Sequence, residues 1–277
     1  MIMTEDYEKL KNLPIGFMDS GLGGLSVLRS ALKVMPSEDY IYYGDSAHAP
    51  YGTKPQEEIR RLTFAVVEKL LNLGIKGLAV ACNTATSAAV KSLRQTYPDL
   101  PIVGIEPAIK PAWKHNHGGS VLVMATPMTI AQAKYHKLLD AYKQDVDIIS
   151  IPCEGLMEFV EAGELSGNHL TEYFDSHLGN YLDHAETIVL GCTHYPFLKP
   201  QLAAYLETKV KDRKIALIDG GMGTARELKR RLNEKGLLRE EAGRGRVRIL
   251  NSSSDPAKIE LSERLLNMPD LPDTFEA

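Results

Sequence analysis

Leu78-Ala79-Val80-Ala81-Cys82-Asn83-Thr84 and Ile188-Val189-Leu190-Gly191-Cys192-Thr193-His194 repeat one pattern more than a hundred residues apart. In each, a short apolar run ends in a small residue, a cysteine, and then Asn-Thr or Thr-His. Apolar runs of this length without polar alternation read as strands buried on both faces, the kind found in parallel sheets. Open α/β sheets place their ligand crevices at the carboxyl ends of such strands, where both cysteines fall. The fold class is therefore α/β, and the duplication implies two units of similar plan, each a largely parallel sheet flanked by helices.

Outward from these runs, the chain alternates short apolar segments with longer stretches of helical period, the signature of βα repeats. Strands are expected at 15–19, 40–44, 77–81, 102–105, 120–125, 148–152, 187–191, 215–219 and 247–250. The clearest helices are 56–73, with an apolar stripe at Ile59, Leu62, Ala65, Val66 and Leu70, and 86–97. A further pair spans 224–235 and 258–266, the latter opened by Asp255 and Pro256 as cap and first-turn residues. Prolines between Glu106 and Pro111 follow a strand, and glycines recur at Gly220–Gly223. A discontinuous first domain of residues 1–108 plus 221–277, and a second of residues 109–220, are expected.

The chain has 277 residues, 44% of them apolar, ample for a buried core. Its 32 basic and 36 acidic residues give a net charge of −4 with no long single-sign run, which disfavours a nucleic-acid partner. The first thirteen residues include Glu5, Asp6 and Glu8 and lack an apolar signal core. No apolar run reaches membrane-spanning length, so the expectation is a cytoplasmic protein with no membrane partner. The acidic N-terminal extension reads as a regulatory segment or a frayed helix, and the oligomeric state, a homodimer included, is left open. Three cysteines, Cys82, Cys153 and Cys192, with no CxxC pair, argue against a disulfide framework.

An isolated thiol is most often a small buried core residue. Two cysteines flanked by polar residues at matching strand ends favour a reactive pair, because a neighbouring helix N-terminus stabilises thiolate. His194 follows Cys192 by two residues, so a strand-end turn can bring both to one cavity. Zinc is a rival ligand, but Cys-Thr-His supplies at most two donors. Asp19-Ser20-Gly21-Leu22-Gly23-Gly24-Leu25-Ser26 follows the first strand. A dinucleotide loop would need glycine where Ser26 stands, although Asp45 does close the second strand as a ribose-binding acid would. The loop better suits backbone donors and a hydroxyl for a small carboxylate, with Asp19 turned inward. Ala49-Pro50-Tyr51-Gly52 forms a rigid turn near another strand end, read either as a surface turn or as a platform for a tyrosine and free amides.

Taken together, Asp19-Ser20-Gly21, Pro50-Tyr51-Gly52, Ala81-Cys82-Asn83-Thr84 and Gly191-Cys192-Thr193-His194-Tyr195-Pro196 resemble the glutamate racemases of the aspartate/glutamate racemase superfamily, from about Ile15 to Leu232. The resemblance implies two α/β domains with the site between them, and D-glutamate production for peptidoglycan, hence for cell-wall biogenesis and cell shape. It implies Cys82 and Cys192 as the two bases, assisted by Asp19 and His194 respectively. Ser20, Tyr51, Gly52, Asn83, Thr84, Thr126 and Thr193, with Asp19 and His194, would hold the substrate's carboxylates and amine. A family glutamate ahead of the second cysteine corresponds best to Glu161, with Glu154 and Glu158 as alternatives. Asp219-Gly220-Gly221 departs from the Asp-Ser or Asp-Pro frequent in the family.

Two cysteines suit removal of an α-proton from one face of an amino acid and delivery to the other, since a thiol titrating near ~8.5 can be tuned lower. No lysine site for pyridoxal phosphate stands out, so the chemistry is expected to need no cofactor and no metal, with L- and D-glutamate as the ligands. The rivals are a racemase for aspartate or another small substrate, a non-catalytic two-domain binder of small carboxylates, and a nicotinamide-dependent oxidoreductase.

Overall fold

The computed structural model describes residues 4–240 and 243–269, with side chains from Glu8 onward. The chain divides into two units, the first reaching Ile105 and resuming over Gly221–Asn267, the second taking Glu106–Gly220. The first unit opens with α1 (Thr4–Lys11) and alternates β1 (Ile15–Asp19), α2 (Leu25–Val34), β2 (Tyr40–Gly44), α3 (Gln56–Asn72), β3 (Gly77–Val80), α4 (Asn83–Thr96) and β4 (Ile102–Gly104). The second contains α5 (Ile109–Lys114), β5 (Ser120–Ala125), α6 (Pro127–Ala131), α7 (Ala133–Asp140), β6 (Ile148–Pro152), α8 (Leu156–Ala162), α9 (Asn168–Leu178), β7 (Ala185–Leu190), α10 (Lys199–Lys209) and β8 (Ala216–Asp219). Then α11 (Gly221–Glu234), β9 (Val247–Asn251) and α12 (Pro256–Leu266) complete the first unit. The fold is α/β, with no helix among the described residues long and apolar enough to cross a membrane.

Every strand pairing described is parallel, in the orders β4-β3-β1-β2-β9 and β6-β5-β7-β8. In the first sheet the chain steps from β1 outward to β2, then returns to lay β3 on the other side of β1. In the second it steps from β5 to β6 and returns to lay β7 on the other side of β5. Each sheet therefore has a topological switch point, between β1 and β3 and between β5 and β7, the place where open α/β sheets form ligand crevices outside the carboxyl ends of their strands.

Strands β1, β2, β3 and β5 are buried along their whole length, which is why they read as unbroken apolar runs. The first core joins Val66, Leu70, Leu78, Val80, Leu93 and Ile102, and the second joins Ile109, Val121, Val123, Val189 and Ile218. Burial of each such side chain contributes about 1.5–3 kcal/mol, enough to hold the strand ends in register. At the amino ends of the first sheet, buried Lys76 pairs with buried Glu38 and Arg239 reaches Asp39, so charge there serves structure.

Several expected boundaries shift for local reasons. The α3 stripe is Ile59, Leu62, Thr63, Val66, Val67 and Leu70, while Ala65, one position off the helical repeat, is half-buried. Thr63 tolerates burial because its hydroxyl donates to the Ile59 carbonyl at 2.7 Å. Helix α4 starts at Asn83 rather than residue 86, because Cys82 is itself the cap. Helix α12 starts at Pro256, with the Asp255 carboxylate accepting from the Ala257 amide. The second segment of the first unit takes Gly221–Asn267, where residues 221–277 are expected. Met1–Met3 of the acidic extension and the last eight residues, 270–277, lie outside the described residues.

Candidate active site

In the first unit, β1 ends at Asp19 and β3, its paired neighbour, runs through Ala81 into Cys82. Cys82 is the N-cap of α4, its sulfur accepting the Ala85 N–H at 3.4 Å while its carbonyl takes the Thr86 N–H at 2.8 Å. The aligned peptide dipoles and partial positive charge of the helix start favour a thiolate at this position. Ser20 Oγ lies 3.5 Å from Cys82 Sγ, in a buried contact. Asp19 is fully buried and its Oδ1 accepts the Gly21 N–H at 2.8 Å, which engages one of the loop amides expected for a substrate carboxylate. The Tyr42 hydroxyl donates to the Gly21 carbonyl at 2.8 Å and fixes the loop from below. Gly24 is required by close packing, since a Cβ there would meet Asp19 Cβ at 2.7 Å and Ala81 Cβ at 2.9 Å.

Tyr51 begins a short 3-10 turn that also holds Gly52, and its ring is buried. Its hydroxyl donates to Asp45 Oδ2 at 2.6 Å, and His48 Nδ1 lies 2.9 Å from Asp45 Oδ1. Burial, then the hydrogen bond to Asp45, push the Tyr51 phenol well above its ordinary value. The phenol is thus neutral with its one proton committed, leaving only lone pairs for a ligand, which suits an ammonium rather than a carboxylate. Asp45, the acid that a dinucleotide loop would use for ribose, is occupied by these two partners. Asn83 and Thr84 are buried in the first turn of α4, beside Cys82.

In the second unit, β5 leads to Thr126 and its neighbour β7 leads through Gly191 to Cys192. A Cβ at Gly191 would meet the Met124 carbonyl oxygen at 2.7 Å, so only glycine lets the chain leave β7 here. Thr126 caps α6, its Oγ1 accepting the Thr129 N–H at 3.3 Å. Cys192 is partly buried, and Thr193 and His194 behind it are buried. His194 Nδ1 lies 3.6 Å from Cys192 Sγ and its Nε2 lies 2.9 Å from Glu161 Oε1 on α8. Burial opposes charge on His194, but the hydrogen bonds to Cys192 and Glu161 and their negative charges prevail, raising its pKa well above 6.5. The shift is toward the imidazolium, the form that donates from both nitrogens.

Of the three acidic residues in contention, Glu161 meets His194, whereas Glu154 and Glu158 are exposed. Cys153 is buried just beyond β6, where burial pushes its thiol up to about 12, and its sulfur contacts the Ile151 carbonyl at 3.5 Å. The residues singled out in sequence therefore fall into two sets, with Asp19, Ser20, Tyr51, Gly52, Cys82, Asn83 and Thr84 in the first unit. Glu161, Cys192, Thr193 and His194 form the second set, with Thr126 at the adjacent strand end. Sequence reasoning missed the Ser20–Cys82 contact and the Asp45–Tyr51 bond. The only signal for the latter was Asp45 six residues ahead of Tyr51 on one loop. Asp219 pairs with buried Lys199 at 2.8 Å, a structural use of the carboxylate at the end of β8. Among the described residues no group of three or more His, Cys, Asp or Glu is arranged to hold a metal ion.

Residues 15–228 match the family described as Asp/Glu/Hydantoin racemase. A glutamate racemase of Clostridium botulinum (strain Alaska E43, type E3) is 51% identical over 257 residues, 92% of this chain and 98% of its own length. The structure of glutamate racemase from Thermus thermophilus in complex with beta-chloro-D-alanine superposes with a TM-score of 0.76 at 36% identity, covering 92% of this chain and 93% of that one. The structure from Francisella tularensis, in complex with D-glutamate, gives 0.78 at 27% identity over 93% and 95%.

Proposed function

This chain belongs to the Asp/Glu/hydantoin racemase family and is an isomerase, and from that premise we propose that it interconverts L- and D-glutamate by two-cysteine acid–base catalysis, supplying D-glutamate for peptidoglycan. The observation that carries this reading is the equivalent placement of Cys82 and Cys192, each beside the switch point of its own sheet. Ligand crevices form at such points, and a racemase needs one acid–base group for each face of its substrate.

In the proposed cycle one cysteine, as thiolate, takes the α-proton while the C–H electron pair remains on carbon. The other, as thiol, delivers its proton to the opposite face, and the two protonation states are exchanged. Cys82 serves the face that carries the proton in D-glutamate and Cys192 the face that carries it in L-glutamate. The α-proton is weakly acidic, so the carbanion requires hydrogen-bond donors preorganised around the α-carboxylate. Asn83, Thr84, Thr126 and Thr193 provide donors at the strand ends. Tyr51, with its proton held by Asp45, offers a lone pair to the ammonium. His194, held by Glu161, donates to Cys192 when that sulfur is negative. The chain's own thiols thus perform the proton transfers without pyridoxal phosphate, metal or nicotinamide.

The test is a coupled assay of D-glutamate formation from L-glutamate with no added cofactor, run beside aspartate. Turnover of glutamate with incorporation of solvent deuterium at the α-carbon is expected. Binding without exchange would reject catalysis, preferential turnover of aspartate would reassign the substrate, and chelator-sensitive activity restored by zinc would reject the thiol-only mechanism.

A further inference from the structure

If Cys82 is base for one direction and acid for the other, its sulfur alternates between S⁻ and S–H in each cycle. A partner that stays bonded to it through both forms must be able to donate and to accept. The Ala85 N–H can only donate, and so favours the thiolate alone. The Ser20 hydroxyl, 3.5 Å from the sulfur, has one proton and two lone pairs. It donates to the thiolate and, after turning about its C–O bond, accepts from the thiol. Ser20 is 5% exposed and Cys82 7%, so water competes weakly for either group. Ser20 directly follows β1 and Cys82 lies two residues beyond β3, on hydrogen-bonded neighbouring strands. The sheet, rather than a free loop, sets their separation.

We propose that Ser20 is a positioning residue for Cys82, following the sulfur through both protonation states, beside the substrate-holding role that family resemblance implies. Ser20 keeps its own proton throughout; the α-proton travels only between carbon and sulfur. This inference rests on the two-cysteine reading for its catalytic meaning, but the Ser20–Cys82 coupling can be measured without substrate. In a Cys153→Ala, Cys192→Ala background, Cys82 is the sole cysteine. Its titration is then read by ultraviolet thiolate absorbance and by the pH dependence of alkylation with iodoacetamide. Ser20→Ala is expected to lower the thiolate fraction at neutral pH about tenfold, the scale of one hydrogen bond to a charged group. Ser20→Thr, which retains the hydroxyl, should restore most of it. In the otherwise native chain, Ser20→Ala should depress kcat from D-glutamate more than it raises KM. An unchanged Cys82 titration in a Ser20→Ala protein with native circular dichroism, or a change confined to KM, would overturn the proposal. A shifted titration in a protein whose native form does not racemise would reject the two-cysteine function while leaving the Ser20–Cys82 coupling in place.

Discussion

Cys82 and Cys192 occupy the same place in their respective sheets, yet their surroundings differ in kind. Cys82 runs straight into an α-helix, so the amide three residues on, Ala85 N–H, reaches its sulfur, and the neutral Ser20 hydroxyl also lies beside it. Behind Cys192 the chain makes a turn and a short 3-10 segment, and α10 begins only at Lys199. There the amide three residues on, Tyr195 N–H, bonds the Cys192 carbonyl at 3.1 Å instead of the sulfur. The sulfur's partner is the His194 ring, backed by Glu161. One thiol thus has a helix-start amide and a hydroxyl among its contacts, while the other meets a titratable histidine backed by a carboxylate. Equivalent topology sets where a reactive group sits; the length of the following turn sets what stabilises its charge.

The largest effects should come from removing either sulfur. Cys82→Ala and Cys192→Ala should each reduce racemisation by about a thousandfold or more, the range of acid–base catalysis. Cys82→Ala should retain, at most, slow deuterium exchange into L-glutamate, and Cys192→Ala only into D-glutamate, as read by NMR in deuterium oxide. Full racemisation by either variant would break the two-base reading, and reversed enantiomers would exchange the faces.

A smaller, one-sided loss is expected from His194→Asn, about a hundredfold in kcat for L-glutamate with less change in KM. Equal losses in both directions would make His194 a substrate anchor. Stability should carry the same signature. Because the folded pKa of His194 is raised, its pairing with Glu161 contributes fully below the unfolded value of about 6.5 and is lost as pH rises through the folded one. Glu161→Gln removes one raising interaction, so thermal melts should show that loss at lower pH than in the parent protein. A coincident pH dependence would show that Glu161 does not support the imidazolium.

Asp45→Asn should sharpen the contrast from the other unit. An amide can still accept from Tyr51 but no longer as a charged partner, and about tenfold weaker substrate binding is expected. A change confined to kcat would place Tyr51 in proton transfer. The smallest effect belongs to Cys153→Ala, which removes a buried sulfur whose thiol stays protonated at neutral pH. It should cost about 1 kcal/mol of stability by denaturant melts and leave turnover intact. Loss of turnover in the folded variant would show that the wrong cysteines have been paired.

The sequence by itself determined the α/β class, because strands buried on both faces must be apolar along their length and helices between them must carry a stripe of period 3.6. It also singled out Cys82 and Cys192, because their motifs are local and repeated. It did not single out Cys82 as a helix cap, since its cap bond is made by sulfur rather than by one of the usual oxygen side chains. Glu161 could not be separated from Glu154 and Glu158 by residues alone, since all three lie within a single short stretch. Only the tertiary structure decided that α8 turns Glu161 toward His194, 33 positions away, and that Ser20 meets Cys82, 62 positions away. It likewise decided that both cysteines flank switch points, because strand order is set by how whole helices pack across a sheet, and no run of neighbouring residues encodes that choice.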